Sequence, residues 1–170
     1  MNEKRLNLQG ACWDGGAAAD LLMCGVGSAN PLPSADIKEA EKERLAEITQ
    51  YERQLWHGGV DFIAGIDEVG RGPIAGPVVA AAVILPKDVM IAGINDSKKL
   101  SEKKRLALEK TIKENCVAWA IGAVGPGVID KINILEASKL AMQQAIAKLP
   151  VKPQHLLVDA VNLAADIPQT

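Results

Sequence analysis

Three carboxylates stand where acids are costly unless something offsets their charge. Asp67 and Glu68 follow the apolar run Phe62-Ile63-Ala64-Gly65-Ile66, and Asp159 follows His155-Leu156-Leu157-Val158. In open α/β sheets, ligands collect beyond the carboxyl ends of strands. If the two runs form neighbouring parallel strands, Asp67 and Asp159 emerge about 4.8 Å apart. Like charges that close repel, so the pair needs a cation or a raised pKa. No histidine or cysteine stands beside any of the three, which leaves an oxygen-only donor set suited to a hard cation, Mg²⁺ or Mn²⁺. Consecutive strand residues point to opposite faces. Glu68 shares a cluster with Asp67 only if the strand ends there and its extra methylene supplies the reach. Acids also terminate strands for purely local reasons at turns, and spacing alone leaves both readings open.

The segment that follows adds a second kind of chemistry. Gly70-Arg71-Gly72 comes directly after Glu68-Val69. Glycines let backbone amides approach a ligand closely, and an arginine fork suits a phosphate. A tight turn would explain the glycines but not the arginine between them. Gly70, Gly72 and Gly76 give G-x-G-x-x-x-G, one residue too long for a dinucleotide fingerprint. Two acids also precede it where a pyrophosphate would be repelled, so that reading is rejected. Further on, residues 95–113 hold seven Lys/Arg against three acids. Such a run is usually a solvated helix face. Here it begins as a polar loop, Asn95-Asp96-Ser97-Lys98-Lys99, ahead of a helix N-terminus, a place that favours phosphate. Basic charge there would follow a nucleic-acid backbone and make binding salt-dependent.

The elements that must position these residues follow from patterning. Residues 1–33 mix glycine and alanine without a lasting period and end at Pro31 and Pro33, which reads as a poorly ordered leader. Asp36 and Glu39 form a capping box for a charged helix over 34–59 that carries a thin apolar stripe and stops at Gly58-Gly59. Strands are predicted over 62–66, 78–85, 117–124 and 155–158. The second is uninterruptedly apolar and reads as buried on both faces. The short link between the first two makes a hairpin. Helices are predicted over 101–114, with Ser101 as cap, and over 128–149. The order is that of an α/β domain over 60–170, with the last two strands parallel through a helical crossover.

Composition narrows the function classes. The 170 residues are 48 % hydrophobic and 24 % charged, which is globular and not disordered. Aromatics are only 3 %, so Val, Ile, Leu and Ala must build the core. A net charge of −2 gives no global field for nucleic acid, so any such binding must be local. Three widely spaced cysteines and two histidines, His57 and His155, exclude a disulfide framework and a zinc site of known spacing. They point to a reducing cytoplasm. No stretch reaches the ~18 apolar residues of a membrane span, and no secretory leader is apparent near Lys4 and Arg5.

Together these stretches resemble ribonuclease HII. The resemblance is carried by residues 63–85, which include Asp67-Glu68-Val69-Gly70-Arg71-Gly72-Pro73. It continues through residues 95–105, 129–137 and 157–160, and it covers about residues 45–170 in order. It implies a ribonuclease H-like α/β fold, a mixed sheet flanked by helices, behind an N-terminal helical extension. It implies a two-metal endonuclease that cuts the RNA strand of RNA–DNA hybrids and cuts 5′ to ribonucleotides embedded in a DNA duplex. Asp67, Glu68 and Asp159 match the family's metal ligands for Mg²⁺ or Mn²⁺. Gly70, Arg71 and Gly72 match the motif that senses the ribose 2′-hydroxyl and the adjacent phosphate. Ser97, Lys98 and Lys99 are implied backbone contacts, and Asn133, Ser138 and Lys139 weaker ones. The protein is expected to act as a cytoplasmic monomer. The family also has a fourth aspartate and a stacking tyrosine, both expected beyond Thr170, so the catalytic domain is expected to lack its C-terminal part. Weak cleavage is therefore expected, with a catalytically inactive nucleic-acid-binding remnant as the alternative. An interaction domain built on the charged helix is a further rival. So is a resolvase- or transposase-like metal nuclease, which would have no use for Gly70-Arg71-Gly72.

Overall fold

The computed structural model describes residues 24–28, 37–73, 75–159 and 161–170. The elements run β1 (Cys24–Gly25), α1 (Glu39–Ile48), α2 (Gln50–His57), β2 (Ile63–Val69), β3 (Val78–Ile84), a 3-10 turn (Ser97–Lys99), α3 (Glu102–Asn115), β4 (Ala118–Val124), α4 (Pro126–Ile132), α5 (Ile134–Lys148) and β5 (His155–Val158). The strands form one sheet in the order β1-β4-β3-β2-β5. Neighbours are antiparallel except β2 and β5, which run parallel.

The β2–β3 hairpin is longer than predicted. Its ladder continues through Asp67↔Ala81, Glu68↔Ala80 and Val69↔Val79. Asp67 and Glu68 therefore lie within the strand, because residues 79–81 offer partners to every residue up to Val69. The valine-rich run over 78–85 is not buried on both faces either. Val78, Ala80, Ala82 and Ile84 are buried while Val79, Ala81 and Val83 are less so. One sheet face is the core and the other is not. The last two strands share a direction, but β3 and β2 lie between them.

The core face is built from small side chains. Ala64, Ala80, Ala82, Ala118 and Ala120 lie under Ala137, Ala141, Met142 and Ala145 of α5. Helix and sheet approach so closely that a Cβ on Gly122 would strike the Ala141 carbonyl and the Ala145 amide nitrogen. That closeness answers the scarcity of aromatic residues, since a thin layer is filled by alanines together with aliphatic side chains such as Val78, Ile84, Met142 and Leu156.

Both long helices predicted from periodicity are broken. The N-terminal one is α1 and α2, parted at Thr49, whose hydroxyl donates to the Leu45 carbonyl at 2.8 Å. Its first turn starts from Lys38 and not from a capping box; Asp36 lies outside the described residues. The pair docks on residues 88–94. Arg44 donates to the Ile94 carbonyl at 2.7 Å and Glu41 accepts from the Gly93 amide at 2.9 Å. Arg44 and Gly93 together hold the Glu41 carboxyl down to about 2. The C-terminal helix breaks at Asn133, which takes a φ of 69° and accepts from the amides of Leu135 and Glu136. Apolar positions continue on both sides, Ile129 and Ile132 before and Ile134 and Leu135 after, so a periodicity argument does not register this cap.

Most of the leader lies outside the described residues. Residues 24–28 do not fit an unstructured reading: Cys24 pairs with Ala120, Gly25 with Trp119, and the Ser28 hydroxyl donates to the Glu114 carbonyl at 2.6 Å. Among the described residues no helix is long and apolar enough to cross a membrane.

Candidate active site at the β2 and β5 strand ends

The parallel pairing of β2 with β5 runs to Ile66↔Val158. One residue beyond the last pair stand Asp67, still within β2, and Asp159, just past the end of β5. Both are exposed. The Asp67 carboxylate accepts from the amide of Glu68 at 2.8 Å. Asp67 shares its sheet face with Ala81 and Ile121, its partners across the ladder. Glu68 sits in line with Ala80 and Gly122, on the face that α5 covers.

Glu68 is not idle there. Its Oε1 accepts from Arg71 Nη1 at 2.9 Å, and its side chain is only 11 % exposed against 44 % for Arg71. The turn after β2 makes this pair. Gly70 takes a φ of 101°, which swings Arg71 back over the strand it has just left. A Cβ on Gly70 would meet the Pro77 carbonyl on the returning side of the hairpin, so glycine is required twice over. Gly72 is exposed and has open space around it. Sequence reasoning gave Arg71 to phosphate and Glu68 to metal but missed that they hold each other. The visible signal was an acid and an arginine three residues apart with a glycine between.

The basic loop lies on the Asp67 face. Ser97, Asn95 and Leu100 line a cavity of about 400 Å³ whose other walls are Ala81, Val83, Trp119 and Ile121 of the sheet and Leu108 and Ile112 of α3. Asp96 shapes the 3-10 turn by accepting from the Lys98 amide at 3.0 Å, and Arg105 ties the loop to α3 through the Leu100 carbonyl at 2.7 Å. Lys98, Lys99, Lys103 and Lys104 are exposed and form no salt bridge with any described residue. Cations around a helix N-terminus oppose its dipole by roughly 0.3–1 kcal/mol each. An anion bound there would reverse that cost.

The weaker candidates on the last helices have local employment. Asn133 caps α5 with its side-chain oxygen. Ser138 is fully buried and donates to the Ile134 carbonyl at 2.9 Å, which removes it as a phosphate contact. Lys139 pairs with Glu136 at 2.9 Å. Cys116 is buried, and burial pushes its thiol up, away from nucleophilic chemistry.

A divalent cation fits this donor set in part. Asp67 and Asp159 supply adjacent carboxylates of the right hardness. No three acidic, histidine or cysteine side chains are grouped to hold a metal ion among the described residues. The expectation that Glu68 completes such a group is not met in this arrangement, because its carboxylate faces the other way and is held by Arg71.

The sheet order, the helix packing and the paired acids at parallel strand ends define an α/β protein of the ribonuclease H-like fold. The solved ribonuclease H2 of Pyrococcus horikoshii OT3 superposes with a TM-score of 0.53 and 25 % identity, over 64 % of this chain and 60 % of that one. A Q54A mutant of Bst-RNase HIII matches at a TM-score of 0.52 and 21 % identity, over 62 % of this chain and 38 % of that one, and so supports the fold. The family model for ribonuclease HII matches residues 64–170. Ribonuclease HII proteins of Bacillus cereus and Bacillus anthracis are each 55 % identical over 135 residues, 79 % of this chain. The chain belongs to the ribonuclease HII family. It spans about half the length of the curated relatives it matches, 52 %.

Proposed function

We propose that this chain carries the hybrid-binding surface and part of the cleaving centre of a ribonuclease H-type endonuclease. Its substrate would be the RNA strand of an RNA–DNA hybrid, or a DNA duplex with an embedded ribonucleotide cut on the 5′ side. The observation that carries this reading is the register of β2 against β5, which sets Asp67 beside Asp159 within five residues of Gly70-Arg71-Gly72. Asp67 and Asp159 would hold Mg²⁺ or Mn²⁺. When bound, such ions activate a water and stabilise the leaving 3′-oxygen. The protein's own part is to fix the two carboxylates on neighbouring strands, to bring the amides around Gly70 and Gly72 against the sugar, and to hold the phosphates with Lys98 and Lys99. A site built to hydrogen-bond a hydroxyl rejects the analogue lacking it by roughly 10⁴-fold, and the 2′-hydroxyl is the group that distinguishes RNA from DNA.

The absence of a three-carboxylate group among the described residues favours a second reading for the chain by itself, binding without efficient cleavage. A hybrid carrying a single ribonucleotide separates the two. The 170-residue chain is expected to bind it at low salt and to cut it poorly with Mg²⁺, and Asp67→Asn is expected to abolish the residual cutting while sparing the binding. Robust cutting that survives Asp67→Asn would overturn the assignment of the site.

A further inference from the structure

The charged helices α1 and α2 supply no residue to the site described above, yet they hold the chain that leads into its basic loop. Glu41 and Arg44 form a two-pronged pair, in which Arg44 Nε donates to Oε2 at 2.8 Å and Nη2 to Oε1 at 2.7 Å. The same two side chains reach the next segment. Arg44 Nη2 also donates to the Ile94 carbonyl at 2.7 Å, and Glu41 Oε1 also accepts from the Gly93 amide at 2.9 Å. Gly93 and Ile94 close the turn that starts at the buried Ile91, with Gly93 at a φ of 82°. Further along the arm, Leu45, Thr49, Arg53 and Trp56 face Asp88, Val89 and Met90 across a cavity of about 10 Å³, so the arm is closely seated. Ile94 is joined directly to Asn95, the first residue of the basic loop. At the far end of that loop, Arg105 donates to the Leu100 carbonyl at 2.7 Å. Two arginines from separate helices thus pin the two ends of residues 95–100.

We propose that the arm of α1 and α2 is a positioning element for nucleic-acid binding: Glu41 and Arg44 hold the entrance of the basic loop and so set Lys98 and Lys99 in place before a phosphate backbone arrives. This rests on the reading of Lys98 and Lys99 as phosphate contacts. Both lysines are exposed and form no salt bridge with any described residue, so the course of their own backbone decides where their charges lie. A loop ordered in advance loses less freedom on binding than one ordered by its ligand. The arm is the right kind of clamp for that purpose. Its bonds go to a backbone carbonyl and a backbone amide, which fixes the chain and leaves the lysine side chains free for a polyanion. Glu41 and Arg44 are positioning residues here, and neither needs to touch the nucleic acid.

The test uses the whole 170-residue chain and an RNA–DNA hybrid as probe, with affinity read by fluorescence anisotropy at low salt. Glu41→Ala and Arg44→Ala change the net charge in opposite senses, and circular dichroism melting confirms that both variants fold. Charge alone would tighten binding in the first and weaken it in the second. Lost positioning is expected to weaken both by ~3-fold, the size of one net hydrogen bond. Unchanged or tighter binding by Glu41→Ala overturns the proposal. The effect must also pass through the lysines. In a Lys98→Ala, Lys99→Ala background the two arm substitutions are expected to weaken binding no further, since residues that act through one another are not additive. The same ~3-fold weakening in that background overturns the proposal. Hydrogen exchange supplies a readout without nucleic acid. The Lys98 and Lys99 amides, which bond to Asp96, should lose protection in both arm variants while the amides of the β2–β3 ladder keep theirs. Loop amides that stay protected overturn the positioning role alone. Wild-type hybrid affinity in the Lys98→Ala, Lys99→Ala chain instead removes the reading of the lysines, and the arm's role in binding with it.

Discussion

The two faces of the sheet are drawn from the same strands and serve opposite ends. The face under α5 is closed: Ala64, Ile66, Val78, Ala80, Ala82, Ile84, Ala118 and Ala120 are all essentially buried. The face toward α3 carries Asp67, Ala81, Val83, Trp119 and Ile121, and it leaves a cavity of about 400 Å³. Period-two alternation assigns each residue to one or the other. The closed face fixes where the strands lie, and the other inherits that position for its acids and its basic loop. Asp67 is therefore held by Ile66 and Glu68 on either side of it more than by anything on its own face.

The contrast can be broken most severely at Gly122. Gly122→Val drives a branched side chain into the backbone of α5, and the cooperative urea transition followed by circular dichroism is expected to disappear. Met142→Ala on the same face is milder, a loss of about 2–5 kcal/mol for a fully buried side chain. Ile121→Ala, its counterpart beside the cavity, should cost about 1 kcal/mol, because half-buried apolar area contributes less. Equal costs for the two would mean that the faces are equally packed. The basic loop gives a smaller effect of a different kind. Lys98→Ala with Lys99→Ala should leave the melting temperature unchanged while weakening hybrid binding, and should lower the slope of log affinity against log salt by about 2, one for each phosphate contact.

The smallest expected effect separates the docked helices from both faces. Arg44 and the Gly93 amide hold the Glu41 carboxyl at about 2, below its ordinary value of 4.5. A group depressed in the folded state stabilises fully above its ordinary value. That contribution fades as pH falls from about 4.5 through about 2. The protection factor of the Gly93 amide, its exchange rate relative to the unfolded chain at the same pH, should fall over that window, and Glu41→Gln should remove that dependence while leaving the sheet amides as they were.

Much of this arrangement is legible in the residues themselves. Four of the five strands and the charged helices follow from hydrophobic period and turn chemistry, and the pairing of Asp67 with Asp159 follows from supposing that two apolar runs with acidic ends lie side by side. What escaped has physical causes. The breaks at Thr49 and Asn133 are single-residue events that leave the apolar stripe intact, so a period cannot register them. The short strand at Cys24 has no pattern of its own and exists only because β4 offers an edge. The extension of β2 through Asp67 and Glu68 is dictated by the partner strand, and acids at that point read as an ending. The Glu68–Arg71 pair depends on a backbone angle at Gly70, which composition permits but does not announce.

Finally, β5 is four residues long, and a ladder so short is free to slip; a slip of one residue would turn its side chains over. The other flank of β5 prevents this. The Leu156 amide donates to the Pro168 carbonyl, the Thr170 amide to the Leu156 carbonyl and the Val158 amide to the Thr170 carbonyl, at 2.9–3.0 Å. The strand is clasped along both margins, like a rail between two guides. Asp159 thus inherits its height relative to Asp67 from Pro168 and Thr170, neither of them acidic, and loosening that clasp would detune the placement of the acids without touching either one.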